Sequence, residues 1–343
     1  MITFYAPGRP NRTFTDGSEC AALAQDAVWI DLLEPTDEEE KSLEAALGVE
    51  IPTREEMQAI ELSSRLYEEN GLLFMTATVI SKAETRRPES SAVTFILSPD
   101  KLITLRYADP VPFNAFRLRL EANLQRYQTP GQFLGGIVDA VIERVADILE
   151  GVGTSLDSIS MRVFEPDELG EPMSLHRRIK SSPGGRARKA RQRNFVEVLR
   201  EIGVVSDRVS RARESLVSFA RLVAFYREVR KEPGTTREAQ AHLKTISGDL
   251  SSLSDHASFL SSKLSFLLDA TLGMINNEQN SIIKILSVAA LVFLPPTLVA
   301  GIYGMNFKHM PELEWLHGYP WALMLMLLSA VLPYLWFKRK GWL

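Results

Sequence analysis

The pattern of apolar and polar positions divides the chain into a mixed first part, a long helical middle and two apolar runs near the carboxyl end. The two runs extend from Ile285 to Phe307 and from Gly318 to Phe337. Each has the length at which about 20 apolar residues cross the hydrocarbon core of a bilayer. Aromatic residues cluster at both ends of the second run, as they do at membrane interfaces. We therefore predict a transmembrane hairpin, with a pair of buried core helices as the alternative.

The first part, residues 1–130, alternates short apolar runs with polar turns, which predicts an α/β domain. A helix is predicted at 36–47, because Thr36 and Glu39 have capping-box spacing. The predicted strands cover residues 28–33, 72–80, 92–97 and 101–106, the last two joined by a turn at 98–100. This part contains no phosphate loop, metal-ligand cluster or nucleophile motif, so we do not expect an enzyme.

The helical middle is predicted from apolar residues spaced three and four apart. Two series in residues 131–234, Leu134 to Val163 and Phe195 to Tyr226, predict helical arms of the cytoplasmic domain. A third predicts a stalk helix that continues through the first membrane run, over 235–303. Between Thr236 and the first membrane proline it is unbroken for about 60 residues, roughly 90 Å. A helix of that length outreaches its shorter neighbours, so near the membrane we expect it to meet copies of itself.

Charge and composition indicate the compartment of the protein and its orientation in the membrane. The 343 residues carry a net charge of −4, which argues against a nucleic-acid partner. The single cysteine, Cys20, excludes an internal disulfide and fits a reducing compartment. The amino terminus lacks a cleavable signal pattern. Because Lys284 begins the first run and the basic tail 338–343 follows the second, at 318–337, both termini are predicted to be cytoplasmic.

A strongly basic segment, from Arg177 to Arg193, surrounds a Ser-Pro-Gly-Gly break. Anionic lipid or nucleic acid are possible ligands for such a segment. It contains no interleaved aromatic residues, which weakens the nucleic-acid interpretation. We favour a solvated turn between two helices.

The external connector, residues 304–317, carries the most specific motif of the chain. It follows Tyr303 with Gly304, Met305 and Asn306, and continues a few residues later as Met-Pro-Glu-Leu. With a membrane run on each side, this motif resembles the CorA magnesium/cobalt channel family, whose hallmark is a Gly-Met-Asn loop between two carboxyl-terminal transmembrane helices. The resemblance is clearest from residue 266 onward. It implies a CorA-like funnel: an α/β cytoplasmic domain, a long helical stalk and two transmembrane helices, assembled as a homopentamer in the plasma membrane, the inner membrane of a bacterium.

The resemblance also implies the residues of the ion path. Gly304, Met305 and Asn306 would form the selectivity filter. Mg²⁺ releases its water reluctantly, so amide and carbonyl oxygens that accept hydrogen bonds from its hydration shell suit it. The pore-lining positions carried over from the family are Asn280, Ile283, Leu286, Leu294 and Thr297. The family commonly has Met at two of the apolar positions, so this chain has stiffer constrictions there.

Family members close when cytoplasmic magnesium binds between subunits, and acidic residues of the stalk are the natural ligands. The candidates are Asp249, Asp255 and Asp269. Only Asp269 falls where the family often carries an acid, and a solvated helix face is the alternative for the others. Mg²⁺ is therefore expected as both the transported and the regulatory ion, with Co²⁺ and nickel as further cargo.

Two other functions remain open at this point. One is a zinc or other transition-metal transporter of the same superfamily, a relative with a Gly-x-Asn loop. His309 and His317 flank the predicted mouth, but two loop histidines more often have no metal role. The other is a membrane-anchored coiled coil without transport. We expect no partner other than the lipid bilayer and further copies of the chain.

Overall fold

The computed structural model describes residues 1–9, 11–13, 17–59, 61–85, 87–123, 125–164, 186–229, 237–305, 311 and 315–340. The chain forms two compact units, the first comprising Met1–Gly184 with Val196–Leu268 and the second Gly185–Phe195 with Asp269–Leu343. The helix from Arg237 to Tyr303 contributes residues to both units.

The first unit is built on a mixed sheet, with seven strands in the described part of the chain. The strands are β1 (Ile2–Tyr5), β2 (Arg12–Thr13), β3 (Trp29–Leu33), β4 (Leu66–Glu69), β5 (Leu72–Ser81), β6 (Glu89–Leu97) and β7 (Leu102–Arg106). Their spatial order is β2-β1-β3-β7-β6-β5-β4. Only β3 and β7 pair in parallel among these strands, with Asp31 opposite Thr104. β4 pairs with β5 from Leu72 to Met75 only.

Helices cover both faces of this sheet and continue into the second unit. They are α1 (Gly17–Asp26), α2 (Asp37–Leu47), α3 (Arg54–Met57), α4 (Leu62–Arg65), α5 (Val111–Ala122), α6 (Pro130–Phe164), α7 (Arg186–Val229), α8 (Arg237–Tyr303) and α9 (Gly318–Arg339). α2 begins where its capping box predicts, because the Thr36 hydroxyl accepts from the Glu39 N–H and the Glu39 carboxylate accepts from the Thr36 N–H.

The two faces of the sheet have separate apolar cores. On one face, Ile30 and Leu105 pack in a cluster with Cys20 and Ala24 of α1 and Leu43 of α2. The other face is rich in aromatic contacts. The ring centre of Trp29 in β3 lies 5.4 Å from that of Phe116 in α5 and 5.8 Å from that of Phe133 in α6. The ring centres of Phe95 in β6 and Phe219 in α7 are 6.2 Å apart. Burial of large aromatic rings supplies much of the stabilisation of such a core.

The sequence predicted most of these elements. The strands at 28–33, 72–80, 92–97 and 101–106 correspond to β3, β5, β6 and β7, and the stalk helix corresponds to α8. The solvated turn proposed for the basic segment is wrong in its second half. There α7 already begins at Arg186, because Ala, Arg, Lys and Gln are good helix formers. Its first half, 177–185, lies outside the described residues.

In the described part of the chain, two helices are long and apolar enough to cross a membrane: α8, whose distal part lies in the second unit, and α9. Within their most apolar 18-residue windows, only 6% of α8 and 11% of α9 is buried inside this chain. A core helix of a soluble protein would be mostly buried. The exposure therefore favours a lipid or subunit environment for these helices over the alternative of buried core helices.

Candidate functional site

The candidate pore face lies on the distal part of α8. With about 100° between successive helical residues, Asn280, Ile283, Leu286, Leu294 and Thr297 fall within an arc of about 120°. The three apolar side chains are 59%, 64% and 70% exposed, in chain order. Asn280 and Thr297 are exposed as well. The helix thus places the five positions within one arc, with polar residues at its two ends and apolar residues between them. Residues outside this arc, such as Ile285 and Phe293, are exposed as well.

Two consecutive prolines, Pro295 and Pro296, lie inside α8 without ending it. A proline nitrogen carries no hydrogen, so the carbonyls of Leu291 and Val292, four residues earlier, have no proline N–H to accept from. In the bilayer core, backbone groups that lack a helical partner are tolerated where they meet protein or line a water-filled cavity. The prolines therefore favour contact with protein or water over contact with lipid for this part of α8.

The mouth of the proposed pore begins where α8 ends. The Gly304 N–H donates to the Ala300 carbonyl at 2.9 Å, and the Met305 N–H donates to the Ile302 carbonyl at 3.2 Å. A Cβ added at Gly304 would lie 3.0 Å from the Ala300 oxygen, a crowded contact that glycine avoids. Asn306, the third predicted filter residue, lies outside the described residues, as does His309.

The ends of the hairpin carry aromatic and basic residues. The rings of Trp315 and Trp321 lie 6.5 Å apart at the start of α9. At its other end the Lys340 ammonium lies 4.4 Å from the centre of the Trp336 ring. Aromatic side chains with neighbouring cations are typical of membrane–water interfaces. This arrangement places a candidate interface at each end of α9.

The predicted regulatory acids do not converge within one chain. Asp249, Asp255 and Asp269 are all exposed on α8. Helical geometry separates Asp249 from Asp255 by about 120° around the axis and about 9 Å along it. Asp269 lies in the second unit. Among the described residues there is no group of three or more His, Cys, Asp or Glu side chains that could hold a metal ion. A regulatory site at these aspartates would therefore need ligands from another copy.

A buried ion pair in the first unit was not anticipated from the sequence. The Arg106 guanidinium donates to both oxygens of Asp31, at 3.0 and 2.8 Å, and to Asp109 at 2.5 Å. Arg106 is fully buried and its guanidinium lies 4.6 Å from the Phe113 ring centre. Burial would lower the pKa of Arg106, but the hydrogen bonds and charges of Asp31 and Asp109 raise it instead. The sequence indicates such a pair only by one charged residue in each of two otherwise apolar strands, Asp31 in β3 and Arg106 in β7.

Comparison with known proteins identifies the class to which this fold and this hairpin belong. The family model described as "CorA-like Mg2+ transporter protein" matches residues 24–181 and 187–339. The chain therefore belongs to the CorA-like Mg²⁺ transporter family, which confirms the resemblance carried by the Gly-Met-Asn motif.

Individual relatives extend this match over nearly the whole chain. The magnesium transport protein CorA of Salmonella typhimurium is 35% identical over 320 residues, covering 93% of this chain and 92% of the relative. The magnesium transport protein CorA of Escherichia coli K12 is 34% identical over 318 residues, covering 92% of each. The complete structure of the CorA magnesium transporter from Methanocaldococcus jannaschii superposes with a TM-score of 0.71 at 18% identity, covering 100% of this chain and 99% of that one. The last match confirms the predicted fold of the single chain.

Proposed function

We propose that this chain is the subunit of a homopentameric channel that carries Mg²⁺ across the plasma membrane, the inner membrane in a bacterium, with both termini in the cytoplasm. The observation that carries the proposal is the exposed face of α8, which leads to a Gly-Met-Asn motif between two helices of membrane length. One hairpin cannot enclose a pore, so several copies are needed. The names of the two bacterial relatives assign magnesium transport to those proteins.

The chemistry of the face suits a hydrated cation. Asn306 at the mouth, Thr297 within the span and Asn280 at the inner end offer oxygens that accept hydrogen bonds from the water around Mg²⁺. Ile283, Leu286 and Leu294 would form apolar rings between these polar levels, and narrow apolar rings stop conduction by dewetting. From Ile285 to Gly304 the sequence has no Asp, Glu, His or Cys, so the proposed pore offers no ligand set for a dehydrated transition metal.

Gating by cytoplasmic magnesium is part of the same proposal. Acidic side chains from neighbouring stalks repel one another when a ring brings them together, and a bound divalent cation offsets that repulsion. Bound Mg²⁺ stabilises the closed state only because it binds that state more tightly than the open state. Asp249, Asp255 and Asp269 are the proposed ligands, each from a different position along α8.

Ion flux into liposomes tests the proposal directly. Purified full-length protein is reconstituted, and the initial rates of Mg²⁺, Co²⁺, Ni²⁺ and Zn²⁺ entry are measured with ion-sensitive dyes. We expect saturable Mg²⁺ entry, and Co²⁺ and Ni²⁺ entry that competes with it. Zn²⁺ entry without Mg²⁺ entry would instead identify a zinc transporter, and no flux of any ion would identify a membrane anchor.

A further inference from the structure

The first unit contains a second candidate binding site, a cleft of about 350 Å³ beside the free edge of β5. The cleft is lined by Arg65 of α4, Thr76 and Thr78 of β5, and residues of α7. β4 covers β5 only as far as Met75, so the strand beyond it has its outer edge open to this cleft. The volume lies at the lower end of the range for small-molecule pockets.

Three arginines give the cleft its charge. Arg65, Arg213 and Arg221 line it together with a single carboxylate, Glu214. Among the described residues, none of the three guanidinium groups forms a salt bridge. The lining therefore has an excess of positive charge that the described part of the chain leaves unbalanced.

Two neighbouring arginines of α7 contact the connection between β5 and β6 and do not line the cleft. Arg211 forms a salt bridge with Asp207 at 3.2 Å and donates to the Ser90 hydroxyl. Arg208 donates to the carbonyls of Glu84 and Thr85. These two arginines fix α7 to the β5–β6 hairpin, whereas Arg213 and Arg221 line the cleft.

Arg65 is the most constrained of the three. Its Nη2 donates to the Thr78 hydroxyl at 3.4 Å, while its Nε is buried without a hydrogen-bond partner in the described part of the chain. A buried donor without a partner carries an unrecovered desolvation cost. An anion in the cleft would interact with the charge of the Arg65 guanidinium, which lines the cleft, and not with this inaccessible Nε.

Hydroxyl groups complete the lining. The Ser218 hydroxyl accepts from the Thr78 backbone N–H at 2.7 Å, so its own hydrogen remains available to a ligand. Ser210 lies two turns earlier on the same side of α7. Arginine and hydroxyl donors around a concave surface match a tetrahedral group with several charged oxygens better than a carboxylate with two.

We propose that this cleft binds a phosphate group, either free or at the end of a larger molecule, through Arg65, Arg213 and Arg221. The single carboxylate, Glu214, predicts whether its neutralisation raises or lowers the affinity for a ligand. Glu214 repels a bound anion, so its neutralisation tightens the binding of phosphate. For a cation in the same cleft, the effect has the opposite sign. The proposal does not depend on the transport function.

Calorimetric titration of the full-length protein in detergent tests the site, with inorganic phosphate and acetate as probes at low ionic strength. Saturable phosphate binding below about 10 mM is expected, with acetate at least about tenfold weaker. Arg65→Gln and Arg221→Gln each weaken phosphate binding about tenfold, and Glu214→Gln tightens it several-fold. Arg227→Gln, an exposed α7 arginine outside the cleft, changes the affinity by less than about twofold.

Vesicles of phosphatidylcholine with and without phosphatidic acid distinguish a lipid headgroup from a soluble ligand. An increase in vesicle binding that depends on phosphatidic acid and is lost in Arg221→Gln supports a lipid phosphate. Phosphate binding without that increase supports a soluble ligand. Thermal unfolding of each variant excludes a general loss of structure. No phosphate binding to the wild type, or equal binding to the Arg65, Arg221 and Arg227 variants, overturns the proposal. Weaker binding to Glu214→Gln overturns it as well.

Discussion

The hydroxyl of Thr297 donates a hydrogen bond to the carbonyl oxygen of Phe293, 2.7 Å away and one turn earlier in α8. Because the hydroxyl hydrogen is held by the helix, the lone pairs of the oxygen are left for other donors. Thr297 is exposed and follows directly after Pro295 and Pro296. In the proposed pore, its oxygen would therefore accept a hydrogen bond from the water shell of a cation.

Removing this acceptor is expected to slow transport. Thr297→Val keeps the size and branching of the side chain but loses the hydroxyl, and should reduce the initial rate of Mg²⁺ entry about tenfold, the effect of about one lost hydrogen bond. Thr297→Ser keeps the hydroxyl and should remain within about twofold of wild type. The measurement is dye-detected entry into proteoliposomes. Equal rates for Thr297→Val and wild type would remove Thr297 from the ion path.

Replacing the proposed regulatory acids should weaken the inhibition of ion flux by internal Mg²⁺ without altering the selectivity filter. Replacing Asp249, Asp255 and Asp269 together by Asn removes the charges that internal Mg²⁺ would neutralise, so flux should persist at higher internal Mg²⁺. The measurement is flux against internal Mg²⁺, with Glu228→Gln, an exposed acid of α7, as the control. An inhibition curve identical to wild type would place the sensor elsewhere.

The proposed orientation predicts which side of the membrane each end of α9 faces. Cys20 is buried and is the sole cysteine of the sequence, so Cys20→Ala provides a background for labelling. A cysteine introduced at Glu312 should react with an impermeant maleimide in intact cells. A cysteine introduced at Lys340 should react only after permeabilisation. The reverse pattern would invert the topology.

The ion pair between Arg106 and Asp31 predicts a large effect on the stability of the first unit. Arg106→Met leaves Asp31 buried without its bidentate partner and should destabilise this unit by about 3–5 kcal/mol. Adding Asp31→Leu removes the unpaired charge and should recover most of the loss. The measurement is thermal unfolding of the detergent-solubilised protein by circular dichroism. If the double variant is less stable than Arg106→Met, the charge of Asp31 is not the cause.

Periodicity and composition predicted the elements whose signals are local. The third apolar series predicted α8, and the run from Gly318 predicted α9, because a helix of membrane length needs no partner sequence to be recognised. β1, only four residues long, gave no such signal. The Arg106–Asp31 pair could not be assigned, since its residues are 75 positions apart and meet only because β3 and β7 pair in parallel.

The candidate pore face was predictable in part, because helical spacing is a local signal. Helical spacing alone places the five α8 positions on one face, whereas their role came from the family motif. The cleft at β5 was not predictable, because Arg65 and Arg221 are brought together by the packing of α4 and α7 against the sheet edge. Nothing in either local sequence indicates that contact.

The most direct test of the proposed channel is Mg²⁺ entry through Asn306→Ala. Proteoliposomes containing wild type, Asn306→Ala and Asn277→Ala, an exposed asparagine of α8 outside the proposed pore face, are compared at equal protein density and equal oligomeric state. Because the Asn306 amide is proposed to hold the hydrated ion at the mouth, Asn306→Ala should abolish entry, and Asn277→Ala should retain the wild-type rate. Wild-type entry through a correctly inserted Asn306→Ala oligomer would contradict the account.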